Sequence, residues 1–510
     1  MRVDSITRRQ LLKGFGALGG SSLMLGAMDA WGLKGKPAGA RPQLRGTQST
    51  TRVVVLGGGL SGLITAHELR KLDYDVRVLE ARPWVGGFTW SVRRGAEHTE
   101  IGGERQVCDF DEGQYVNVGA WRIPHSDVGI LGYCKELGVR LELFVNSDDA
   151  NYFYEENADI GPLAGRRVRL REVKADLWGA TTELLTKAMN QGNIDVPLSD
   201  ADKELLVQFL VRSGYLDNAD HVYRPPASRG SDDLYDLSAL LRSGFGARAR
   251  SLNQETGGPA PLFQPIGGMQ QIAFGFQREL GDRLTLGAEV RSVRQSEDEV
   301  RVVYRDTRSG EQQEIVADYC VSCLPMSILK TLDVNLSAET TQAVSETAHA
   351  SIAKMGLQMR RRFWEEDDGI FGGHLWSRGL QLGEFSYPSN GYFGDKGVLL
   401  GYYGSSTQAG LDAMPIRGRI EHVLAQASKV HPQMRAEFES AYAVWWEKVP
   451  YSVGAYGRAP SPELLARLAV PDRRVYLASA HVSSDPSWME GAVEAAWRAV
   501  EGIHARVSRG

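Results

Sequence analysis

The chain has 510 residues, of which 42% are hydrophobic and 24% charged, and its formal net charge is −5. A chain of this length can bury substantial cores in two or three domains, and the composition is that of an ordinary globular protein. The mildly acidic balance argues against a nucleic acid or an anionic membrane as the main partner, and no apolar stretch in the body of the chain is long enough for stable membrane insertion.

The N-terminal residues have the pattern of an export signal rather than of a folded segment. Residues 7–13 read TRRQLLK, which is typical of a twin-arginine signal, and a weakly hydrophobic Gly/Ala-rich stretch follows to residue 30. We predict a signal over residues 1–32 and a linker over residues 33–50, and therefore a periplasmic or extracellular protein. The alternative is a chance Arg-Arg pair.

Residues 51–82 carry the most informative local pattern in the chain. An apolar strand at 53–56 is followed by the glycine turn Gly57–Gly62, an amphipathic helix to about residue 71, and a second apolar strand that ends in Glu80. The glycine turn reads G-x-G-x-x-G between a strand and a helix, with an acidic residue after the next strand. This arrangement predicts a dinucleotide site.

Each part of this motif has a physical reason. Gly57 permits the tight turn, Gly59 lets backbone N–H groups approach a pyrophosphate, and Gly62 lets the helix lie close to the strand. The helix N-terminus supplies unpaired N–H groups and a partial positive charge. Glu80 can accept hydrogen bonds from ribose hydroxyls. The alternative is a glycine-rich turn that packs for structural reasons only.

The remaining elements are predicted from the spacing of apolar residues and from turn signals. Ser126 or Asp127 is expected to cap the helix that follows, and Ser199 to cap a later one. The predicted helices span residues 128–137, two helices within 171–214, 233–242, 419–428, 432–440 and 488 to about 506. The predicted strands span residues 288–293, 300–304, 316–324, 351–362, 397–403, 444–446 and 474–479.

Three features outside the glycine motif could carry chemistry. Arg122 lies in the otherwise apolar stretch 115–124, where a structural salt bridge is favoured over a bound carboxylate on the residues alone. Lys354 lies in the alternating stretch 351–362, and an exposed strand lysine is its ordinary interpretation. In the Trp445–Trp446 pair only one ring can face a given side of a strand, and core filling is the ordinary role of both.

The four cysteines do not indicate a disulfide framework. Cys320 and Cys323 form a C-x-x-C, but they lie in an apolar strand pattern and no second pair or His cluster accompanies them. Structural burial is therefore favoured over redox or metal chemistry, and no metal site is predicted. For Cys108 and Cys134 the sequence leaves both a pair and free thiols open.

Several separate motifs together resemble a known family. The chain reads VVVLGGGLSGL, VLEAR followed by a Gly-Gly pair, NVGAWRIP, LGYCKELGV, PIGGM, GAEV, GVLLGYY and WMEGA. With the arginine-arginine leader, these motifs resemble the flavin monoamine oxidase superfamily, and within it the secreted bacterial FAD-dependent L-amino-acid oxidases. The resemblance covers nearly the whole chain.

The resemblance implies an α/β (α+β) fold. Its parts are a Rossmann-like FAD-binding domain of the glutathione-reductase or amine-oxidase type, a mixed-sheet substrate domain and a helical insertion. The implied FAD-binding domain comprises residues 51–125, 261–330 and 451–510. Residues 126–260 form the mostly helical domain with part of the substrate domain, and residues 331–450 form the substrate-binding domain.

The cofactor implied by the resemblance is FAD. The residues expected to contact it are Gly57, Gly59, Leu60, Ser61, Gly62, Glu80, Ala81, Arg82, Gly86, Gly87, Gly119, Ala120, Trp121, Arg122, Val290 through its backbone, Ala480, Trp488, Met489, Glu490 and Ala492.

The resemblance also implies a reaction, which is oxidative deamination of an L-amino acid by hydride transfer to flavin N5. The products are a 2-oxo acid, ammonia and, from O2, H2O2. Arg122 and Tyr402 are expected to bind the substrate carboxylate, Trp488 and Trp446 to form aromatic walls, and Lys354 to act as the catalytic residue that orients a water.

The chain departs from the family pattern at two places. The usual Gly-Gly-Arg reads Gly86–Gly87–Phe88, and the usual Gly-Glu/Asp-His reads Ser479–Ala480–His481. Each missing charged group removes roughly 1–3 kcal/mol of charge-assisted hydrogen bonding to FAD, unless neighbouring groups compensate. Trp121 is also bulkier than the usual residue and is expected to narrow the pocket.

Two alternative functions stay open at this point. One is an exported amine oxidase or flavin dehydrogenase for an amine without a carboxylate. The other is a degenerate flavoprotein that serves as a binding subunit. The preferred side chain is not predicted. If the protein forms a homodimer, the helical insertion is the expected contact.

Overall fold

The structure is a computed structural model that describes residues 41–45, 50–192, 198–231, 233–249 and 261–509. The predicted export signal, residues 1–32, lies outside the described residues, so export stays a prediction. Within the described ranges, no helix is both long enough and apolar enough to cross a membrane.

The first of the two large sheets is parallel and has five strands. Its strands come from three separate parts of the chain, in the order Leu284–Leu286, Asp75–Glu80, Arg52–Leu56, Tyr319–Ser322 and Val475–Leu477. The central strand reads RVVVL and is buried at all but its first residue. A continuous apolar run is what a parallel strand covered on both faces requires.

Both faces of this sheet are covered. Helices Leu60–Lys71, Gln270–Leu280 and Met489–Val507 bury apolar side chains in one shared cluster on one face. On the other face lie helices Ala338–Ser345 and Pro462–Ala469 and a four-stranded sheet. The four strands are, in order, Gln312–Ala317, Val300–Asp306, Ala288–Gln295 and Asp333–Val334. This is the layered arrangement of a dinucleotide-binding domain.

The second large sheet has five antiparallel strands. Their order is His374–Leu375, Phe385–Ser386, Gly397–Gly404, Ala353–Met359 and Phe438–Trp445. One face packs under helix Ile416–Ala427, and the other faces a cluster that includes Trp90, Val116 and Trp121. The mixed α/β fold predicted from the sequence is confirmed, whereas the exact domain boundaries stay predictions.

The helical insertion follows a small three-stranded sheet. That sheet contains Ile123–Pro124, Leu262–Pro265 and Leu141–Phe144. The insertion contains helices Leu170–Asn190, Asp200–Ser213 and Leu237–Ser243, and Ser199 Oγ accepts a hydrogen bond from Asp202 N as the sequence predicts. The smaller elements are helices Val128–Glu136, Met326–Leu329, Phe363–Glu366 and Met434–Glu437, and strand pairs Ser91–Arg93 with Tyr115–Asn117, Glu97–Thr99 with Arg105–Val107, and Tyr152–Phe153 with Val168–Arg169.

One predicted element is wrong. The sequence predicts a helix over residues 432–440, but only Met434–Glu437 is helical, and Phe438–Trp445 is a strand. Its alternating, aromatic-rich sequence pairs along the whole length of Ala353–Met359, and this pairing outweighs the helical preference of its first residues. Trp446 lies just beyond the strand.

The cysteines are all free. Cys320 lies in the buried strand Tyr319–Ser322, and burial raises the pKa of the Cys323 thiol to about 12. The structural interpretation of the C-x-x-C is therefore confirmed. Cys108 and Cys134 are buried and unpaired.

Candidate active site

A cavity of about 410 Å³ lies at the carboxyl ends of the parallel strands. Its wall includes Gly57, Glu80, Cys323 and Ser479, each of which ends or closely follows a different strand of the sheet. Ligands of open α/β sheets bind outside the carboxyl ends of the strands. The fold therefore puts the predicted dinucleotide site where such a site belongs.

The glycine loop forms the floor of this cavity from backbone alone. Gly57 has a φ of +98°, and Gly59 occupies the N-cap position of helix Leu60–Lys71 without any side-chain cap. A Cβ on Gly59 would meet nothing within 4 Å, whereas a Cβ on Gly62 would lie 2.0 Å from Gly57 O. The first-turn N–H groups are thus uncapped and approachable, as an anion site requires.

Glu80 is held rigidly beside the loop. Its Oε2 accepts a hydrogen bond from Gly58 N at 2.7 Å, and its Oε1 accepts one from Arg82 N at 2.8 Å. Each oxygen keeps a lone pair for a hydroxyl donor, such as a ribose. The Arg82 guanidinium donates instead to Pro450 O and Ser452 Oγ, so it braces the cavity wall.

The Gly86–Gly87 pair makes the second close backbone approach. Gly86 N donates to Gly58 O at 2.8 Å, and a Cβ on Gly87 would lie 3.2 Å from Gly59 Cα. Phe88 follows on the cavity wall, and its ring lies 4.5 Å from that of Trp446. Phe88 therefore makes an aromatic contact at the position where the family pattern has an arginine.

The opposite end of the cavity lacks a carboxylate as well. Ala480 lines it, and the neighbouring His481 bonds through Nδ1 to Ser479 Oγ at 2.8 Å. Burial lowers the pKa of His481 to about 3, with His349 and Lys330 adding to the effect, so the imidazole is neutral. Both departures seen in the sequence are thus real features of the cavity wall.

Most of the predicted cofactor residues meet at this cavity. Those on its wall are Gly57, Gly59, Leu60, Ser61, Glu80, Ala81, Arg82, Gly86, Gly87, Ala120, Val290, Ala480, Trp488, Met489 and Ala492. Gly62, Gly119, Trp121, Arg122 and Glu490 are not part of it. The Glu490 carboxylate is turned away, since it accepts hydrogen bonds from Gly129 N and Ile130 N. The Ser61 hydroxyl is also turned away and donates to Ala478 O.

A second group of residues forms a chamber of side chains next to the cavity. Lys354 is 1% exposed, and its Nζ donates to Gly119 O at 2.7 Å. The same Nζ lies 4.8 Å from the Trp121 ring centroid and 4.2 Å from that of Tyr403. Burial, and then the charge of Arg122, hold the pKa of Lys354 well below its usual range. The exposed-lysine interpretation is therefore wrong.

Arg122 faces this chamber without a counter-ion. Its guanidinium carbon lies 4.8 Å from the Trp121 ring centroid and 5.7 Å from that of Trp488. Its Nε is buried without a hydrogen-bond partner, and no ion pair joins Arg122 to the part of the chain that the structure describes. The alternative of a structural salt bridge therefore finds no partner among those residues.

The structure contradicts the predicted role of Tyr402 in binding the substrate carboxylate. Its ring stacks on Trp445 at 5.8 Å and its hydroxyl donates to Ser405 O at 2.6 Å, on the far face of the sheet from Lys354. Tyr403 faces the chamber instead, because it lies opposite Lys354 in the strand pairing. The reason is a β-bulge at Gly401, which shifts the side-chain alternation by one residue.

The structure also contradicts the predicted role of Trp446 as an aromatic wall of the substrate site. This residue is fully buried, its Nε1 donates to Val118 O at 2.7 Å, and it contacts the lining residues Phe88 and Gly454 without lining the cavity itself. Trp446 therefore supports the wall from behind. Trp488, by contrast, lines the cavity and also faces Arg122.

Comparison with known proteins decides the family. Residues 60–504 match the family model described as flavin containing amine oxidoreductase. The chain belongs to this family. A flavin-dependent L-tryptophan oxidase of Lentzea aerocolonigenes is 27% identical over 481 residues, covering 89% of this chain and 98% of the relative. An L-amino-acid oxidase of Notechis scutatus scutatus is 22% identical, covering 91% of this chain and 89% of the relative.

Solved structures of the amine oxidoreductase fold agree. Wild-type putrescine oxidase bound to putrescine superposes with a TM-score of 0.60 at 20% identity, covering 90% of this chain and all of that chain. At this identity the likeness establishes the fold. The enzyme is thus a flavin oxidoreductase, and its cofactor is FAD.

The residues present fit FAD. The uncapped start of helix Leu60–Lys71 and the open space above Gly59 suit a pyrophosphate, and Glu80 keeps lone pairs for ribose hydroxyls. These groups, with the Gly86–Gly87 backbone, would hold the dinucleotide. At the adenine end of the cofactor, the groups that would hold it are mainly backbone groups.

Residues that sequence reasoning missed lie around the chamber. Tyr403 and Tyr456 contact each other through their hydroxyls, and Glu384 lies near them. The buried His374 contacts the Trp121 ring at 5.4 Å. The signal for Tyr403 was the glycine inside GVLLGYY, since an interior strand glycine often marks a bulge. The others have no local motif.

Proposed function

We propose that the enzyme oxidises an L-amino acid to a 2-oxo acid, ammonia and H2O2. The observation that supports this proposal is Arg122, a partly buried guanidinium that lies over two indole rings and has no acidic partner in the described chain. A cation whose Nε is buried without a partner, and that has no counter-ion among those residues, is well placed to bind an anion. A substrate α-carboxylate is an anion that a guanidinium binds bidentately.

The roles of the side chains follow from this pairing. Bound FAD supplies a two-electron acceptor for the hydride of the substrate α-carbon and passes the electrons to O2. Arg122 fixes the carboxylate, and the rings of Trp121 and Trp488 restrict the guanidinium to one direction. Fixing one end of the substrate aligns its α-carbon and removes rotational freedom before the reaction.

Lys354 acts on water rather than on the carboxylate. One N–H of its amine donates to Gly119 O, and its lowered pKa favours the neutral amine, which keeps a lone pair. In that form it can orient a water that attacks the imino acid and releases ammonia.

Two other functions are weaker candidates. An amine without a carboxylate, as in the putrescine oxidase neighbours, leaves Arg122 without a partner. A degenerate flavoprotein is suggested by Phe88 and Ala480, but the rest of the cavity wall keeps the groups that a dinucleotide needs. The names of the relatives, an L-tryptophan oxidase and an L-amino-acid oxidase, favour the amino acid.

The test is a peroxide assay on the holoenzyme with Arg122→Met. We expect kcat/KM for L-amino acids to fall roughly 30- to 1,000-fold, as removal of one member of a desolvated charge pair typically costs about 2–4 kcal/mol. The FAD absorption spectrum should not change. The matched control is the decarboxylated amine of the best amino acid, on which wild type and variant should be equally poor. Equal activity of both proteins on amino acids would refute the proposal.

A further inference from the structure

Glu384 lies beside the chamber, next to the antiparallel sheet. Its neighbour Phe385 is buried in the same cluster as Tyr402 and Trp445. Glu384 directly precedes strand Phe385–Ser386, and its charge is among those that act on Lys354. Its backbone N–H donates to Tyr403 O at 2.7 Å, which fixes its position beside the chamber.

The charge of Glu384 reaches the same groups as the charge of Arg122. After burial, the negative charge of Glu384 is among the influences that raise the pKa of Tyr403 and Tyr456, and Arg122 opposes it at both. At Lys354 the two charges again act in opposite directions. Arg122 and Glu384 therefore face one shared set of side chains with opposite charges.

Among the described residues, the Glu384 carboxylate has no protein partner. It accepts no hydrogen bond and forms no ion pair within the described ranges, although the residue is only partly exposed. The nearby amine of Lys354 donates to Gly119 O at 2.7 Å rather than to this carboxylate. A partly buried carboxylate without a cation is costly, as is the unpaired Arg122 opposite.

We propose that Glu384 selects L-amino acids whose side chain ends in a positive charge. The α-carboxylate of the substrate binds Arg122. The methylene groups of the substrate side chain lie along the rings of Trp121 and Tyr403, and the distal ammonium or guanidinium group binds Glu384. This inference rests on the proposed function and names the substrate class of the same site. In this arrangement Arg122 binds one end of the substrate and Glu384 binds the other end.

The experiment compares L-lysine with L-norleucine, which has the same chain length without the distal ammonium. For wild-type holoenzyme we expect kcat/KM to be higher for L-lysine. In Glu384→Gln we expect kcat/KM for L-lysine to fall roughly 10- to 100-fold, mainly through KM, because a charge-assisted hydrogen bond is lost. L-Norleucine should change less than about threefold, within the scatter of single interactions.

Two further variants separate recognition from folding. Glu384→Asp keeps the charge and should retain part of the preference for L-lysine. Glu142→Gln is the matched control, since this carboxylate has a protein partner, Gln264 Nε2 at 3.0 Å, and should leave the preference unchanged. Melting temperature and FAD absorption verify that each variant is folded and loaded.

The outcomes separate this inference from the proposed function. A wild-type preference for L-norleucine, or an unchanged substrate ratio in Glu384→Gln, overturns the role of Glu384 while leaving amino-acid oxidation intact. If no amino acid is oxidised, 1,4-diaminobutane and 1-butylamine are compared. Loss of a diamine preference in Glu384→Gln then supports the cation site and overturns the proposed function, and no diamine preference overturns both.

Discussion

The cofactor cavity and the chamber beside it are built from different parts of the chain's chemistry. The cavity presents mostly backbone and small residues at strand ends, such as Gly57, Gly59 and Ala480. The chamber presents long side chains, with Arg122 and Lys354 surrounded by aromatic rings. A site made of backbone is specified by where glycines fall in one motif, whereas a site made of side chains is specified by strand register.

The difference also appears in what each region tolerates. The glycine loop cannot accept a Cβ at Gly62, whatever ligand is bound, because the atom would overlap Gly57 O. At the chamber, one residue of register decides whether Tyr402 or Tyr403 meets the ligand. Predictions that separate structural from ligand-facing positions therefore test the comparison most directly.

The largest effect is expected for Gly62→Ala. A Cβ at this position would lie 2.0 Å from Gly57 O, so the strand and helix must move apart. Overpacking of this kind typically costs about 1–3 kcal/mol or more, and here it also distorts the anion site. We expect the protein to lose FAD and to melt at a lower temperature even without FAD, as measured by absorption and calorimetry.

Gly59→Ala is the matched control within the same loop. A Cβ there meets nothing within 4 Å, and the φ of −74° suits alanine. We expect the melting temperature of the FAD-free protein to be unchanged and the Kd for FAD to rise, because the methyl group projects into the space for the cofactor. A stable Gly62→Ala that binds FAD normally would contradict the backbone-built view of the cavity.

The next effect separates the two adjacent tyrosines. Tyr403→Phe should lower kcat/KM about tenfold, since it removes one active-site hydroxyl worth about 1.4 kcal/mol, and should change the melting temperature less than Tyr402→Phe does. Tyr402→Phe should leave kcat/KM unchanged and destabilise the fold by about 1–2 kcal/mol, because its buried hydroxyl donates to Ser405 O. Steady-state kinetics and thermal unfolding of both variants give the answer. Reversed effects would mean that the register is wrong.

The sequence was sufficient for the cavity because its information is local. The strand, glycine turn, helix and Glu80 all lie within residues 51–82, so one motif predicts their relative positions. Most of the residues predicted to contact FAD, from this motif and from the family resemblance, lie on the wall of the cavity. Even the unusual Phe88 and Ala480 could be recognised, since they break a contiguous pattern.

The chamber could not be predicted equally well, because its residues meet only through long-range pairing. Glu384 approaches Lys354 across two strands, and no local pattern marks it. Regular alternation along Val398 and Leu400, which do face this side, puts Tyr402 on the chamber face, and only the bulge at Gly401 reverses this. The sequence therefore left the preferred side chain of the substrate open. It also predicted Tyr402, rather than Tyr403, as the tyrosine that faces the substrate.

The smallest effect on activity is expected for Asp127, the residue directly before helix Val128–Glu136. The sequence predicts that Ser126 or Asp127 caps helix Val128–Glu136, but Asp127 makes no capping bond, and Glu490 binds the first-turn N–H groups instead. Burial, and then the charges of Glu490 and Asp485, raise the pKa of Asp127 to about 8. Its carboxyl is therefore protonated in the folded protein at neutral pH.

This raised pKa makes stability depend on pH in a defined direction. The folded state binds the Asp127 proton up to about pH 8, whereas the unfolded chain releases it near pH 4. The stabilisation is complete below the unfolded pKa and is lost as pH rises through the folded pKa. Asp127→Asn cannot ionise, so its free energy of unfolding should fall less than that of wild type between pH 5 and 8.5. The exposed Asp298→Asn serves as control, and unfolding curves whose pH dependence is the same in Asp127→Asn and wild type would show that Asp127 does not titrate with a raised pKa.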